Sequence, residues 1–190
     1  MSFESLGLPA ALARAVADSG YTQPTDVQLR AIPPAMAGSD LRVSSSTGSG
    51  KTAAFVLPAL NRGLAARAAA QADVSKRRDN KTVHGPRVLV LTPTRELAMQ
   101  VAKATDSYGR HIPGLRVATI VGGVPYHAQL KALRGPLDVL IATPGRLMDH
   151  MANGKAVLAN VELFVLDEAD RMLDMGFIDD IKLVAQALPA

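Results

Sequence analysis

Residues 44–52 read Ser-Ser-Ser-Thr-Gly-Ser-Gly-Lys-Thr, and the reading of the fold turns on them. Gly50-Lys51-Thr52 closes a phosphate-binding loop of the form Gly-x-x-x-x-Gly-Lys-[Ser/Thr]. That form asks for glycine five places before Gly50, where this chain has Ser45. Gly48 and Gly50 free the backbone to approach a phosphate in unusual dihedrals. The amides of the loop, and of a helix starting near Lys51, point at the anion; Lys51 reaches the β- and γ-phosphates and Thr52 a Mg²⁺ ion. A flexible serine–glycine linker would account for Gly-Ser-Gly, but not for Lys-Thr directly after it and an apolar strand before it.

A phosphate loop needs a second strand to bring a carboxylate to its magnesium. Leu-Phe-Val-Leu-Asp-Glu-Ala-Asp, residues 163–170, is such a strand: four apolar residues deliver Asp167 and Glu168 to its end. Asp167 suits the magnesium shell, and Glu168 suits orienting and deprotonating a water. Acidic residues capping a helix are common singly. As a pair beside a Gly-Lys-Thr loop they indicate nucleoside triphosphate hydrolysis.

Short apolar runs alternate with helical patterns along the rest of the chain. Strands are predicted at Leu41–Ser44, Val88–Leu91, Arg116–Val121, Asp138–Ala142 and Leu163–Leu166. Helices are predicted near 51–62, 95–109, 126–134, 145–152 and 177–188, the last with Phe177, Ile181, Val184 and Leu188 as its apolar stripe. Strands apolar throughout and separated by helices imply an α/β, mostly parallel sheet covered on both faces. Ligands then bind beyond the carboxyl ends of the strands. Two of those ends carry the same tetrapeptide form, Thr92-Pro93-Thr94-Arg95 and Thr143-Pro144-Gly145-Arg146. Threonine caps helices and proline suits the first helical position, so each would set a positive helix end and an arginine on the rim. A third end runs into Gly122-Gly123. Thr-Pro starts helices well for structural reasons alone, but two copies and a glycine pair suggest a track for a repeating anion such as a nucleic-acid backbone.

Composition bounds these readings. The 190 residues, 48% hydrophobic and 20% charged, suit one ordinary domain with a full core. The absence of cysteine excludes disulfides and thiolate metal sites and suits a reducing cytoplasm. The four histidines, 84, 111, 127 and 150, lack metal-ligand spacing and read as surface or core residues. The N-terminus has no basic segment followed by an apolar stretch, so no export signal is visible. No apolar run approaches the roughly 20 residues that span a bilayer, so no membrane contact is expected. The net charge of +4 is local: residues 62–87 hold seven basic and two acidic side chains, and the remainder is about neutral. Residues 65–86 read as a helix tail followed by a basic polar loop, a solvated surface rather than a dedicated nucleic-acid contact.

Asp167-Glu168-Ala169-Asp170 spells the name of the DEAD-box ATP-dependent RNA helicases, and the chain resembles their N-terminal RecA-like domain over nearly its whole length. Residues 46–52 resemble the family's Ala-x-Thr-Gly-Ser-Gly-Lys-Thr motif, in which alanine commonly stands at the position of Ser45. Residues 93–98 (PTRELA), the glycines at 122–123 and residues 143–146 (TPGR) resemble its RNA-contacting motifs, in order. Residues 20–28 (GYTQPTDVQ), with Phe3 upstream, are similar to its adenine-reading Q motif, which places residues 1–38 in a Q-motif region. The stretches "RLMDHM" and "VSSSTGSGKT" resemble the bacterial RhlE-like branch.

The resemblance implies a RecA-like P-loop NTPase three-layer sandwich and assigns roles by position. Ser46, Thr47, Gly48, Ser49, Gly50, Lys51 and Thr52 would surround the phosphates of ATP, with Thr52 and Asp167 on Mg²⁺, largely through water, and Lys51, Asp167 and Glu168 as the catalytic set. Gln28 would hydrogen-bond the adenine edge and Phe3 would pack on the base. Asp26, where the family usually has proline, is expected to loosen the turn that presents Gln28. Thr94, Arg95, Gly123, Thr143, Gly145 and Arg146 would hold RNA phosphates and sugars without reading bases, and Asp170 would couple hydrolysis to RNA. The family continues with a strand bearing Ser-Ala-Thr and a second RecA-like domain that completes the RNA site and supplies arginines to the γ-phosphate. Neither follows here before Ala190, so a C-terminally truncated, monomeric piece is expected. Such a piece would bind adenine nucleotide weakly, hydrolyse it negligibly and unwind nothing. Two rival readings are an ATP-gated RNA clamp or scaffold and a P-loop ATPase acting on DNA or protein.

Overall fold

Val88–Leu91 and Val139–Ala142 are apolar at every position, and a strand of that kind is stable only with both faces covered. In the computed structural model, which describes residues 2–46, 48, 50–72, 85–134 and 136–189, both are central strands and all eight of their residues are buried. They are β1 (Val88–Leu91) and β3 (Val139–Ala142); β2 (Val117–Ile120) and β4 (Leu163–Leu166) flank them. The sheet order is β2-β3-β1-β4, and each neighbouring pair is parallel. Val88 stands opposite Val139 on one side and Leu163 on the other.

Alternation along each strand builds two cores. Val88, Val90, Val139 and Ile141 point to one face, where they join Leu12, Val16, Leu57, Leu60, Ala98 and Val101. Those come from α1 (Ala10–Asp18), α3 (Lys51–Ala72) and α4 (Arg95–Tyr108). Leu89, Leu91, Leu140 and Ala142 point to the other face and join Leu147, Met172, Ile181 and Val184. Those come from α6 (Pro144–Ala152), α7 (Ala169–Asp174) and α8 (Ile178–Gln186). The result is three layers, helices over both faces of a parallel sheet. Two further helices, α2 (Asp26–Met36) and α5 (Tyr126–Arg134), pack on α3 and on β2 respectively. No helix among the described residues is long and apolar enough to cross a membrane.

The predicted strand at Leu41–Ser44 does not form: the segment is irregular, with Leu41 45% and Val43 41% exposed. A strand is held by a ladder and by burial, and this segment has neither. Among the described residues the sheet stops at β4, whose own residues are half-buried to exposed. The other four predicted strands all form: they match β1 and β4 at both ends and β3 within one residue, and β2 is one residue shorter at each end than predicted. The helix predicted at 51–62 continues to Ala72, because its tail is rich in alanine, the strongest helix former. The basic loop beyond it, residues 73–84, lies outside the described residues. The helix predicted at 177–188 is α8, separated from α7 by Gly176 at φ +84°.

Candidate nucleotide and nucleic-acid site

The carboxyl ends of β1, β2, β3 and β4 deliver Thr92, Val121-Gly122-Gly123, Thr143 and Asp167 to one rim. The phosphate-loop residues Lys51 and Thr52 open α3 and are half-exposed. Gly48 (φ +79°) and Gly50 (φ +83°) take the left-handed conformation anticipated for them; Thr47 and Ser49 lie outside the described residues. Ser45 is half-exposed, and its hydroxyl donates to the Ser46 carbonyl at 3.2 Å.

Gln28 ties this loop to α2. It is 4% exposed, although a glutamine on a helix would ordinarily face water. Its Oε1 accepts the Thr25 amide at 3.0 Å while Thr25 Oγ1 accepts the Gln28 amide at 3.3 Å, a complete capping box. Its Nε2 donates to the Gly50 carbonyl at 3.1 Å. A Cβ on Gly50 would collide with that amide nitrogen, so glycine here answers both a dihedral and a close approach. The expected loosening by Asp26 is not found. Asp26 is the first residue of α2, where a negative charge favours the helix end, and it pairs with Arg30 at 3.8 Å on the surface. Phe3 is 6% exposed within the larger core, so its ring is already a packing side chain.

Asp167 extends β4 by donating its amide to the Leu91 carbonyl at 2.9 Å. Burial pushes its carboxyl above the usual carboxylate range, and Glu168 adds repulsion; Lys51 and the Glu168 backbone amide oppose the shift. The Lys51 charge is thus felt at Asp167 without cancelling the effect of burial. Glu168 stands alone among described non-glycine residues in having a positive φ, at φ 57° and ψ 47°, and it starts α7 with no side-chain cap bond. A glutamate held left-handed costs about 1–3 kcal/mol, a strain that accumulates at functional sites. Asp170 is exposed in the first turn of α7. Among the described residues no three acidic or histidine side chains gather to hold a metal unaided. A partly buried carboxylate with too little positive charge beside it nevertheless fits Mg²⁺, which takes one or two protein oxygens and keeps its water and phosphate ligands.

The two Thr-Pro-x-Arg copies differ in frame. In the second, Thr143 is the N-cap and Pro144 the first helical residue, as anticipated. In the first, the cap is Thr94: its hydroxyl accepts the Leu97 amide at 3.3 Å, and α4 starts at Arg95. Thr92 is fully buried and prolongs β1, donating its amide to the Ala142 carbonyl at 3.0 Å. Arg95 is exposed, and its guanidinium lies 3.0 Å from where a Cβ on Gly123 (φ +80°) would sit. The glycine pair and the first arginine thus meet. Gly145 is exposed at the start of α6, whereas Arg146 is half-buried and hydrogen-bonded to the Val124 carbonyl at 2.7 Å and to Gln129 Oε1 at 3.2 Å. Sequence reasoning missed Gln129, Tyr126 and the part played by His150, because a buried polar cluster has no periodic signature.

A family model described as DEAD/DEAH box helicase matches residues 25–190. The chain is 42% identical over 189 residues to the ATP-dependent RNA helicase DeaD of Haemophilus influenzae, which covers 100% of this chain and 28% of that protein. It is 43% identical over 186 residues to the DEAD-box ATP-dependent RNA helicase 52A of Oryza sativa subsp. japonica, covering 98% of this chain and 31% of that protein. A crystal structure of a hypothetical ATP-dependent RNA helicase from Sulfolobus tokodaii superposes with a TM-score of 0.79 at 37% identity, over 95% of this chain and 47% of that one. The chain thus spans under a third of the length of these curated relatives.

Proposed function

Because the chain belongs to the DEAD/DEAH box helicase family, we propose that it is the ATP-binding half of an ATP-dependent RNA helicase that locally separates RNA duplexes in the cytoplasm. The observation that carries the reading is a single rim of parallel strand ends, which carries Asp167 and Glu168 after β4 and on which the Arg95 guanidinium meets Gly123. Residues 46–52 cradle the phosphates, and Lys51 balances their charge. Thr52 and Asp167 would hold Mg²⁺ largely through water, and the ion when bound neutralises phosphate charge. Glu168, fixed by its backbone conformation, orients a water and accepts its proton during attack on the γ-phosphorus, and ADP leaves.

Gln28 selects the base. An amide has two N–H donors and two acceptor positions, and the cap and Gly50 take one of each. One donor and one acceptor remain, the pair an adenine edge requires; guanine would leave both unmatched. Phe3 borders this region from the core. Thr94, Arg95, Gly123, Thr143, Gly145 and Arg146 meet RNA phosphates and sugars, independently of sequence. Asp170 links that contact to the catalytic carboxylates beside it. A second RecA-like domain supplies the remaining RNA contacts and an arginine, a contribution of about 10³–10⁵ in rate for this chemistry. This chain alone therefore binds nucleotide as a monomer without appreciable turnover.

Calorimetric titration with ADP and GDP in Mg²⁺, repeated on Gln28→Ala, tests the proposal. ADP binding without GDP binding, and loss of the preference in Gln28→Ala, is the expected result. Equal affinity for both bases in the wild type would overturn the adenine assignment.

A further inference from the structure

The carbonyls on either side of Gly122-Gly123 are each held by a side chain from a neighbouring helix. Gln129 Nε2, on α5, donates to the Val121 carbonyl at 2.7 Å, and Arg146, on α6, donates to the Val124 carbonyl at 2.7 Å. The two helices are joined beneath the turn. Gln129 Oε1 faces both Arg146 at 3.2 Å and His150 Nε2 at 2.9 Å. Gln129 is 3% exposed and His150 is fully buried. The imidazole stacks on Tyr126 with ring centres 4.2 Å apart and planes 10° from parallel, and the Tyr126 hydroxyl accepts from Asn153 at 3.1 Å.

The donor count fixes the tautomer. Gln129 Nε2 is used on a carbonyl, so Oε1 is the atom facing His150, and His150 Nε2 must carry the proton. Nδ1 is then a buried acceptor, and it has no partner among the described residues. Burial, reinforced by the Arg146 charge and opposed by Asp149, keeps the imidazole pKa below its ordinary value, in keeping with a neutral ring. A half-satisfied buried network is less stable than an apolar replacement of the same shape.

We infer that Gln129 and His150 are positioning residues that lock the Gly122-Gly123 turn and the Arg146 guanidinium into one preformed nucleic-acid contact. This inference rests on the proposed RNA-binding role of the rim. Gln129 holds one flank of the turn and Arg146 the other, and His150, donating to the same Oε1, keeps the glutamine from rotating. The phosphate loop is outside the network, so nucleotide binding does not depend on it.

The test uses the full-length protein, a labelled single-stranded oligouridylate followed by anisotropy, and ADP calorimetry as the control. Gln129→Met, close in shape but without donor or acceptor, is expected to lower RNA affinity about tenfold, as for losing one or two positioned polar contacts. ADP affinity should hold within about twofold. His150→Phe, which keeps the stack, is expected to act in the same direction with less effect. Gln129→Glu, which keeps the acceptor for Arg146 and His150, is expected to recover part of the loss. Long-range nitrogen NMR of the wild type should show the Nε2–H tautomer of His150. The inference is overturned by an Nδ1–H tautomer, by RNA affinity unchanged in Gln129→Met, or by parallel loss of RNA and ADP affinity, which marks mere destabilisation. If the wild type binds ADP with this tautomer but no RNA, the proposed function fails, and the positioning role fails with it.

Discussion

The two ends of the rim are organised in opposite ways. At the phosphate loop, residues 41–46 are exposed to half-exposed backbone, the two carboxylates repel each other, and one buried glutamine anchors the loop to α2. At the Gly122-Gly123 end, turn carbonyls, Arg146, Gln129 and His150 are already bonded to one another. One end leaves charge uncompensated where a charged ligand would bring its own counterpart; the other has its polar groups, His150 Nδ1 apart, committed before any ligand arrives. Removing Glu168 at the first should therefore change chemistry more than stability, and breaking the bonded network at the second should change binding and stability together.

The largest expected effect tests the first half of that contrast. Glu168→Gln in the full-length protein should lower RNA-stimulated ATP turnover by roughly 10²–10⁴-fold, the span for losing a general base. ATP and RNA binding should persist, because the amide keeps the shape. A steady-state ATPase assay decides it, and turnover within a few-fold of wild type would remove Glu168 from the role of base.

Gly50→Ala probes the anchor. The new methyl collides with Gln28 Nε2 and forces a left-handed alanine. Strain of about 1–3 kcal/mol is expected. It should appear as a lower melting temperature, with ADP affinity lost because the Gln28–Gly50 bond and the loop cannot both survive. Retained ADP affinity would show that the loop is set by its ligand rather than by Gln28.

The two arginines should separate the modes at the other end. Arg95 is exposed, so Arg95→Ala should lower RNA affinity and reduce the slope of log affinity against log salt by about 1, with little change in melting. Arg146→Ala should also lower the melting temperature, since it strips a donor from the Val124 carbonyl and one from Gln129. Equal melting of the two variants would mean that the Arg146 bonds contribute nothing to the fold.

The same contrast explains what the sequence could show. β1, β3, Asp167 and the Gly-Lys-Thr loop were legible because each is a local pattern: an unbroken apolar run, or residues at fixed spacing. Leu41–Ser44 has the composition of a strand and forms none, because a strand is a property of its neighbours, and none of the described strands lies beside it. The two Thr-Pro-x-Arg copies looked alike, yet burial of Thr92 carried β1 further and moved the cap to Thr94. Asp26 looked disruptive because proline was missing, whereas the capping box that fixes the turn belongs to Thr25 and Gln28. The His150 network joins a turn and two helices through pairs 8 to 22 residues apart, a spacing that follows neither the helical nor the strand period, so no periodic pattern reveals it.

The smallest effect sharpens the comparison most, because it opposes the others in sign. Asp167 has its folded-state carboxyl raised by burial and by Glu168, so the unfolded chain ionises it at lower pH than the native protein does. Its contribution to stability is therefore fully present below the ordinary aspartate value of about 3.9 and is lost as pH rises through the folded value. At neutral pH without divalent ions the charge works against the fold. Asp167→Asn, measured in EDTA, should melt above the wild type at pH 7, and the gain should shrink toward zero on acidification through that window. Adding Mg²⁺ and ADP should reverse the order, raising the wild type more than the variant. A variant that melts below the wild type at pH 7 in EDTA would mean that Lys51 and the Glu168 amide outweigh burial, and that the nucleotide end is as fully compensated as the rim around Arg146.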